Sequence, residues 1–499
     1  MVGVFRSALL LILMTNFLNA QAPVVTSQKI VLTQRGAAEL ALQNGTRAKE
    51  TIYKYDGLEA DKADFNLPLY LSNYDWKTTL ESGYELDKLE TFTITDTKFQ
   101  RYRSQLSLDK SFLTGTKVTS SYLRLSQKAE YPIGSENFSK APIERTQDLF
   151  SLTVEQNLWR NAFGRADRAE LRAIEYASDS NQILKVSELQ VVVLDAIRAF
   201  WKAYVAQENF KESVAARDRY QKLVDTIKRK NAVGYAKPGE YAQVQAELET
   251  RIQNTKNSSL VYLSELDNLV TVLNADPGSE FELRISDELM APPQLKVIEV
   301  ENTRTVRAQK LNVQSSEEKL TSVKSKTGLA VSLVGKLSSS GVDLNANSAF
   351  SEMTGGSQPF YYAGVKLQYS FGSGNLEDQV KNKNMILLLD QSKLERVRSE
   401  QGNSLRQSER KVQTTYAVAQ SFLKEREFRD RAVRELTTTY NQGRTDINTY
   451  IEALNKLFVT KTNYLDAIGE YQIALNEWAA ARDELIPDPN KTKNEENAL

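Results

Sequence analysis

Two long polar stretches without helix breakers constrain the fold of this chain more than any other feature. The first runs from about residue 165 to 230 without Pro or Gly, and the second runs from about 376 to 442 with only Gly402 inside. At 1.5 Å per residue, the first would form a helix roughly 100 Å long. A length of 499 residues would allow about three ordinary domains. Helices of this length predict a more extended organisation instead.

Each long stretch is followed by a short break and a returning helix with seven-residue spacing. The breaks cover about 232–239 and 441–446, and the returning helices about 240–273 and 447–485. This spacing predicts a coiled-coil seam that packs against neighbouring long helices. An ordinary amphipathic core helix is the alternative. The residues at multiples of seven are Tyr241, Leu248, Tyr262 and Leu269 in the first helix, and Ile447, Leu454, Ile468 and Leu475 in the second.

The same arrangement occurs twice in the chain. Gly234 and Tyr241 align with Gly443 and Tyr450 at one offset, and strand-like segments upstream align at a slightly larger one. These matches indicate a duplicated unit of strands followed by a helical hairpin. The predicted organisation is a signal peptide at 1–20, a first repeat at 21–274, a connector at 275–298, a second repeat at 299–486 and a disordered polar tail at 487–499.

The amino terminus has the features of a secretory signal peptide. Arg6 precedes an apolar run at 8–14, and the small residue Ala20 follows. Cleavage after Ala20 or after Ala22 fits comparably, and a buried amino-terminal helix is the alternative. Since no other segment has 18 consecutive apolar residues, we expect no transmembrane helix.

Short segments ahead of the long helices alternate apolar and polar residues. The clearest is 361–371, and further segments lie near 76–84, 106–112, 118–125, 150–158 and 329–337. Strict alternation with aromatic ends is typical of a strand between lipid and water, and a half-buried soluble sheet gives the same period. The candidates for interface girdles, with ordinary packing as the alternative, are Trp76, Tyr84, Phe150, Trp159, Tyr361, Tyr362 and Phe371.

Four to six strands per chain cannot close a membrane barrel, which needs at least about eight. An open sheet edge cannot face lipid, so several chains would have to share one barrel. The long helices lead to the same oligomer, because only other long helices can cover their seams. The predicted fold class is a mixed α/β membrane protein: long coiled-coil hairpins plus a transmembrane β-barrel shared between chains in the outer membrane of a diderm bacterium. A periplasmic coiled-coil scaffold with a soluble β domain is the alternative.

The composition excludes several classes of chemistry. The chain has no His and no Cys, which removes Ser-His-Asp and Cys-His catalysis, imidazole and thiolate metal sites, and disulfides. It also removes a lipidated amino-terminal cysteine. With 64 Lys+Arg against 64 Asp+Glu, no bulk positive field would attract nucleic acid. We predict a protein that is not an enzyme and has no metal or cofactor.

The order of several motifs resembles that of the TolC-type outer-membrane efflux proteins. Residues 40–44 (LALQN) resemble the opening helix motif of that family, and 154–164 (VEQNLWRNAFG) resemble its strand-to-helix segment. Residues 365–374 (VKLQYSFGSG) resemble the second copy of that segment, and Gly234 and Gly443 lie where the family has its hairpin tips. Together these motifs span essentially the whole mature chain.

The resemblance implies a homotrimer with a 12-stranded barrel, four strands from each chain, and a helical tunnel across the periplasm. It implies an exit duct for a tripartite efflux pump or a type I secretion system. The partners would be a periplasmic adaptor protein, an inner-membrane transporter and outer-membrane lipid. Residues 76–125 contain one hairpin more than four strands require, and the sequence leaves open whether it lies in the barrel wall.

By the same resemblance, the periplasmic tip closes through polar links between hairpins and a ring of acidic residues. Tyr440 matches the family's linking tyrosine, Glu240 an acidic linking partner, and Glu452 one acid of the ring. The second ring acid falls on Thr449, and the linking arginine falls on Thr445. The closing chemistry therefore departs from the family pattern here.

Arg444 and Asp446 are our candidates for a substitute charged pair at the tip, because such a pair can stabilise a closed state. The alternative is that both are solvated turn residues, with Asp446 capping the helix that begins at Ile447. The tips at Gly234 and Gly443 are also the positions where the resemblance predicts adaptor docking.

Overall fold

The computed structural model describes most of the chain. The described residues are 30–87, 98–130, 144–235, 237–276, 279, 281–285, 289–294, 299–369 and 374–486. The predicted signal peptide at 1–20, the tail at 487–499 and Phe371 lie outside them. The structure divides into two units, each of which draws on both predicted repeats. The first contains Met1–Ile52, Val186–Ile298 and Gly402–Leu499, and the second contains Tyr53–Lys185 and Glu299–Gln401.

The predicted long helices are present. The two longest each contribute residues to both units. They are α4 (Arg165–Ala232) and α8 (Gly374–Asn441), each of 68 residues. The returning helices are α5 (Glu240–Leu273) and α9 (Ile447–Ala481). The α5 bounds coincide with the prediction, and α9 ends four residues earlier than predicted. No helix among the described residues is both long enough and apolar enough to cross a membrane.

The first unit is built on the apolar faces of these helices. Near the amino terminus, α1 (Gln34–Asn44), α2 (Thr46–Tyr53) and the small sheet of β1 (Ile30–Leu32) with β6 (Phe281–Leu283) join them. Phe200, Leu269 and Leu273 form part of the core there. A second core lies toward the hairpin ends, where Leu248 and Leu454, both predicted seam residues, are buried.

The second unit contains one six-stranded antiparallel sheet in the order β2-β3-β4-β5-β7-β8. Every alternating segment of the sequence corresponds to one of these strands. Helices α3 (Leu67–Leu71), α6 (Arg304–Ser325) and α7 (Ala346–Thr354) also belong to this unit. The strands are β2 (Lys77–Asp87), β3 (Lys98–Ser111), β4 (Thr116–Glu130), β5 (Glu144–Asn157), β7 (Ala330–Asp343) and β8 (Pro359–Gln368).

The sheet has six strands in the described part of the chain, two more than the four per chain that the family resemblance implies for the barrel. The surplus hairpin, β2 with β3, lies in the same sheet, and β3 pairs with β4 along its full length from Lys98 to Ser111. The hairpin is therefore not a separate domain. The Ser-, Gly- and Asn-rich composition of 338–359 predicts a surface loop. That prediction is wrong, because β7 extends to Asp343 and the helix α7 follows it.

Over the central rows of the sheet, the strand register separates a mainly apolar face from a mainly polar face. Leu80, Leu106, Tyr122 and Phe150 lie in one row across four strands. The adjacent row on the opposite face contains Thr79, Ser107, Ser121, Ser151 and Ser338. The period of two in the sequence thus becomes two faces of opposite character.

Helix α7 covers the apolar face where that face carries a charged cluster. Gly341 on β7 permits this packing, because a Cβ there would lie 2.0 Å from the carbonyl oxygen of Ala349. The covered cluster is Arg124, Asp148 and Tyr122, in which the Asp148 side chain is 0% exposed. Phe350 packs edge-on against the Tyr122 ring, with the ring centroids 6.3 Å apart.

Candidate gate at the helical tips

The two hairpin reversals in the first unit depend on glycines in left-handed conformations. Gly234 has φ 77° and Gly443 has φ 72°. At Gly443 the chain turns back immediately, since its N–H donates to the Tyr440 carbonyl and the Arg444 N–H donates to the Thr439 carbonyl. A side chain at either position would meet nothing within 4 Å, so the requirement for glycine is conformational.

Tyr440 stacks on a tyrosine of its own hairpin and is contacted by a lysine of the other hairpin. Its ring is buried at the end of α8 and stacks on Tyr450 of α9, with centroids 5.1 Å apart and planes at 11°. From the other hairpin, Lys230 of α4 places its Nζ 4.5 Å from the Tyr440 ring centroid. A cation over an aromatic face is attracted to it, so this contact joins the first hairpin to the second.

Asp446 caps α9, as the alternative interpretation predicted, and also pairs with a lysine of the other hairpin. It is the N-cap of α9, where a carboxylate oxygen accepts from the Asn448 N–H at 2.9 Å. It also forms an ion pair at 3.2 Å with Lys237 of the other hairpin, rather than with Arg444. The Lys237 side chain is 71% exposed, and an exposed pair stabilises weakly. Beside it, the Gln243 amide donates to the Asn448 side chain across the same boundary.

A buried polar network joins the hairpins deeper along the helices. The Tyr220 hydroxyl of α4 donates to the Asn455 Oδ1 of α9 at 2.6 Å, and the buried Arg251 of α5 donates to the same oxygen at 3.0 Å. Glu247 lies 3.5 Å from the Arg251 guanidinium. The guanidinium also lies over the rings of Tyr220 and Phe458 at 5.4 Å and 5.2 Å.

The other predicted gate residues make local contacts. Glu240 begins α5 and accepts from the Lys237 backbone N–H at 3.0 Å. Glu452 pairs with Lys456 one turn later on α9, and this hydrogen bond lowers the pKa of Glu452. Thr449 and Arg444 are exposed, and Arg444 forms no ion pair within the described part of the chain. The gating role of all these residues stays a prediction.

Sequence reasoning missed the partners that complete the site. Lys230 and Lys237 lie in polar stretches that offer no local signal, and Asn455 lies beside the seam residue Leu454 without a motif of its own. Arg251 gave no signal either, because it immediately precedes the seam residue Ile252, and positions beside a seam commonly carry charge. No three His, Cys, Asp or Glu side chains among the described residues are grouped so that they could hold a metal ion.

Burial raises the pKa of the Tyr440 phenol. Burial, and then the negative charge of Glu240, raise the pKa of Tyr440 to about 12 from 10.0. The folded tip therefore favours the neutral phenol, whose contribution is complete below pH 10 and is lost as the pH rises toward 12. At the opposite extreme, the hydrogen bond from the Asn448 N–H and the one from Lys237 lower the pKa of Asp446, so the Lys237 pair is lost only in strong acid.

We expect Tyr440→Phe to reduce the alkaline destabilisation of the protein. The phenylalanine keeps the ring that Tyr450 and Lys230 contact but cannot ionise. Urea midpoints recorded from pH 9 to pH 12 should fall more steeply for the wild type than for the variant. Equal slopes would show that the Tyr440 phenol does not titrate against folding.

Lys237→Ala should change the closed state only slightly, by at most about fivefold in its mean dwell time in planar bilayers. The reason is that both partners of the Lys237–Asp446 pair reach solvent. Lys228→Ala, an exchange of another lysine on the first hairpin, serves as the control for loss of charge. A change well above tenfold would mean that the tip closes mainly through this exposed pair.

Comparison with known proteins places this geometry on a known fold. No protein-family model matches the sequence, and no curated protein matches it. Solved structures do match. The CmeC outer membrane channel of Campylobacter jejuni is 13% identical with TM-score 0.62, over 93% of this chain and 89% of that chain. The MtrE outer membrane channel of Neisseria gonorrhoeae, solved in its open state, is 10% identical with TM-score 0.62, over 90% and 88%.

A third structure, the outer membrane protein VceC of Vibrio cholerae, is 10% identical with TM-score 0.61, over 90% of this chain and 95% of that chain. The matches cover nearly the full length of both partners in each case. They establish the class of fold: a helix-rich protein with long hairpins and a β-sheet. This is the fold of the TolC-type outer-membrane channels, as the motif resemblance predicted.

Proposed function

We propose that the protein is an outer-membrane channel that serves as the exit duct of a tripartite efflux pump or a type I secretion system. The observation that carries the proposal is the exposed apolar face of the six-stranded sheet. Leu80 is 73% exposed, Tyr361 75% and Leu367 66%. A contiguous apolar face of this kind needs lipid or another protein to cover it.

The sheet cannot stand in lipid as a single chain, because its edge strands would expose backbone groups. We therefore place it in a homotrimer whose copies share one barrel. The helical hairpins would extend into the periplasm, with the tips at Gly234 and Gly443 meeting a periplasmic adaptor that is itself bound to an inner-membrane transporter. The matched channels share this fold, which supports the assignment.

In this proposal the protein performs no chemistry and acts as a passive conduit. Opening would separate the α4–α5 hairpin from the α8–α9 hairpin at the tip. The contacts between these hairpins, Lys230 on Tyr440 and Arg251 with Asn455, would then hold the resting channel closed. Cargo would be selected by the transporter, since a wide duct discriminates weakly.

Membrane fractionation tests the proposal against a soluble periplasmic scaffold. We expect the native protein to sediment with outer membranes, to require detergent for extraction and to migrate as a trimer in mild detergent. The purified trimer should then form channels in planar bilayers. Recovery in the periplasmic fraction without detergent would overturn the proposal and favour the scaffold.

A further inference from the structure

The two edge strands of the sheet are unusually open. Within the described part of the chain, β2 and β8 each have a strand on one side only. Both carry exposed side chains along almost their whole length, including Leu80 and Tyr84 on β2 and Val365 and Leu367 on β8. Soluble proteins usually protect such edges with bulges, inward charges or a covering element. Two long, regular and open edges are suited to pairing with a further strand.

Because the number of strands is even, the two edge strands run in opposite directions and can pair with each other between copies. Neighbouring strands are antiparallel at every step of the six-stranded order, so β2 and β8 run in opposite directions. If β8 of one copy lies beside β2 of the next, that new pair is also antiparallel. A ring of such copies has no edge left, which is the condition for a sheet in lipid.

Both faces also continue across such a junction. On the apolar face, β8 presents Tyr361, Val365 and Leu367 in register with Leu337, Leu333 and Val331 of β7. On the same face, β2 presents Leu80 and Tyr84. Pairing the edges would therefore join apolar side to apolar side, as a continuous lipid-facing band requires.

The polar face adds a charge match. Lys366 of β8 lies on this face, where it pairs with Glu155 at 3.3 Å and stays half-exposed. Glu81 of β2 lies on the polar face too and forms no ion pair within the described residues. Opposite charges on facing strands stabilise a pair and help to set its register.

We propose that β2, rather than β4, joins β8 of the next copy, so that a trimer closes a wall of six strands from each chain. The inference rests on the proposed function and revises the barrel that the family resemblance implied. With strands about 4.8 Å apart and tilted about 40°, 18 strands give a backbone diameter of about 36 Å, against about 24 Å for 12. The surplus hairpin thus widens the pore within the membrane.

The same geometry gives the register of the junction. Lys77 and Tyr362 lie in one row across the sheet. A stagger of about one residue per strand, as in eight-stranded barrels of shear eight, displaces each copy by about six residues. If β8 of one copy is displaced by six residues toward the Asp87 end of β2 in the next copy, Lys366 lies opposite Thr79 and diagonal to Glu81. The opposite displacement would carry β8 beyond the start of β2.

Disulfide cross-linking tests the junction, since the natural chain has no Cys. Thr79→Cys and Glu81→Cys are each combined with Lys366→Cys in the full-length protein and oxidised in outer membranes. We expect covalent dimers and trimers on denaturing gels from at least one pair, and their loss on reduction. The competing pairs are Thr119→Cys and Ser121→Cys with Lys366→Cys, which would cross-link only if β4 were the edge.

Ser121→Cys with Ser151→Cys controls for oxidation, because their hydroxyl oxygens are 2.8 Å apart within one chain. Cross-linked dimers and trimers from the β4 pairs, with none from the β2 pairs, would overturn the proposal. Each chain would then contribute four strands to the barrel, and the β2–β3 hairpin would lie outside the barrel wall. No cross-linked dimers or trimers from either set, with the control bridge formed, would also overturn it. In both cases outer-membrane location and trimer formation would leave the proposed channel intact. Periplasmic, monomeric protein would instead contradict the channel itself.

Discussion

Asp148→Ala is expected to destabilise the sheet by about 2–4 kcal/mol. The Asp148 carboxylate accepts from Arg124 Nε at 2.8 Å, from Arg124 Nη2 at 2.9 Å and from the Tyr122 hydroxyl at 2.9 Å. Its side chain is fully buried, whereas that of Arg124 keeps 38% exposure. The alanine leaves the guanidinium and the hydroxyl without this acceptor on an otherwise apolar face. Partial solvent access to Arg124 keeps the expected cost below that of a fully buried charge.

Thermal unfolding of the purified protein in mild detergent would measure this effect. Asp109→Ala is the matched control, since Asp109 is a carboxylate on β3 that accepts from Thr119 at 2.7 Å on the polar face of the same sheet. Its loss should cost less than about 1 kcal/mol because Asp109 reaches solvent. Equal effects of the two substitutions would mean that burial under α7 does not strengthen the Asp148 cluster.

The strands could be predicted from the sequence because the signal is local. Alternation reports which residues share a face, and six alternating segments became the six strands of the sheet. The helix reversals could be located for a similar reason, since Gly234 and Gly443 interrupt long breaker-free stretches. Their left-handed φ values explain why glycine occupies both positions.

The pairing of strands and the packing of α7 could not be predicted in this way. The order of a sheet depends on contacts between distant segments, so the sequence left the place of the β2–β3 hairpin open. The Ser- and Gly-rich composition of 338–359 predicts a loop. What fixes a helix there is tertiary: Ala349 and Met353 are buried, and Gly341 admits the helix backbone.

In the candidate gate, too, the residues that depend on local sequence could be predicted and their distant partners could not. A motif resemblance placed Tyr440, and capping rules placed Asp446, because both depend on neighbouring residues. Their partners Lys230 and Lys237 come from the other hairpin, more than 200 positions away in the chain. Contacts at that separation depend on how the hairpins pack, which no periodicity in the sequence specifies.

Arg251→Ala is expected to weaken the contact between the hairpins by about 2–3 kcal/mol in each copy. A hydrogen bond from a charged group contributes about 1.5–3 kcal/mol, and a partly desolvated cation over an aromatic ring about 0.5–2 kcal/mol. Arg251 supplies both, to the Asn455 oxygen and to the rings of Tyr220 and Phe458. The contacts with Asn455 and Phe458 join α5 to α9, whereas Tyr220 lies on α4 of the same hairpin as Arg251. Loss of the contacts to α9 should therefore destabilise the closed state relative to an open one. In planar bilayers its dwell time should shorten by about 30-fold to about 150-fold.

Arg217→Ala is the matched control, because Arg217 lies on the same hairpin and its one ion pair among the described residues is with the exposed Asp218 next to it. It should leave the dwell time unchanged. Arg251→Lys tests the chemistry further: it keeps the charge but loses the planar guanidinium that lies over two rings, so its dwell time should fall between wild type and alanine. If Arg251→Ala lowers the unfolding temperature but leaves the dwell time as it is, Arg251 stabilises the folded helices without holding the tip closed. Closure would then depend on the contacts nearer the turn, where Lys230 meets Tyr440.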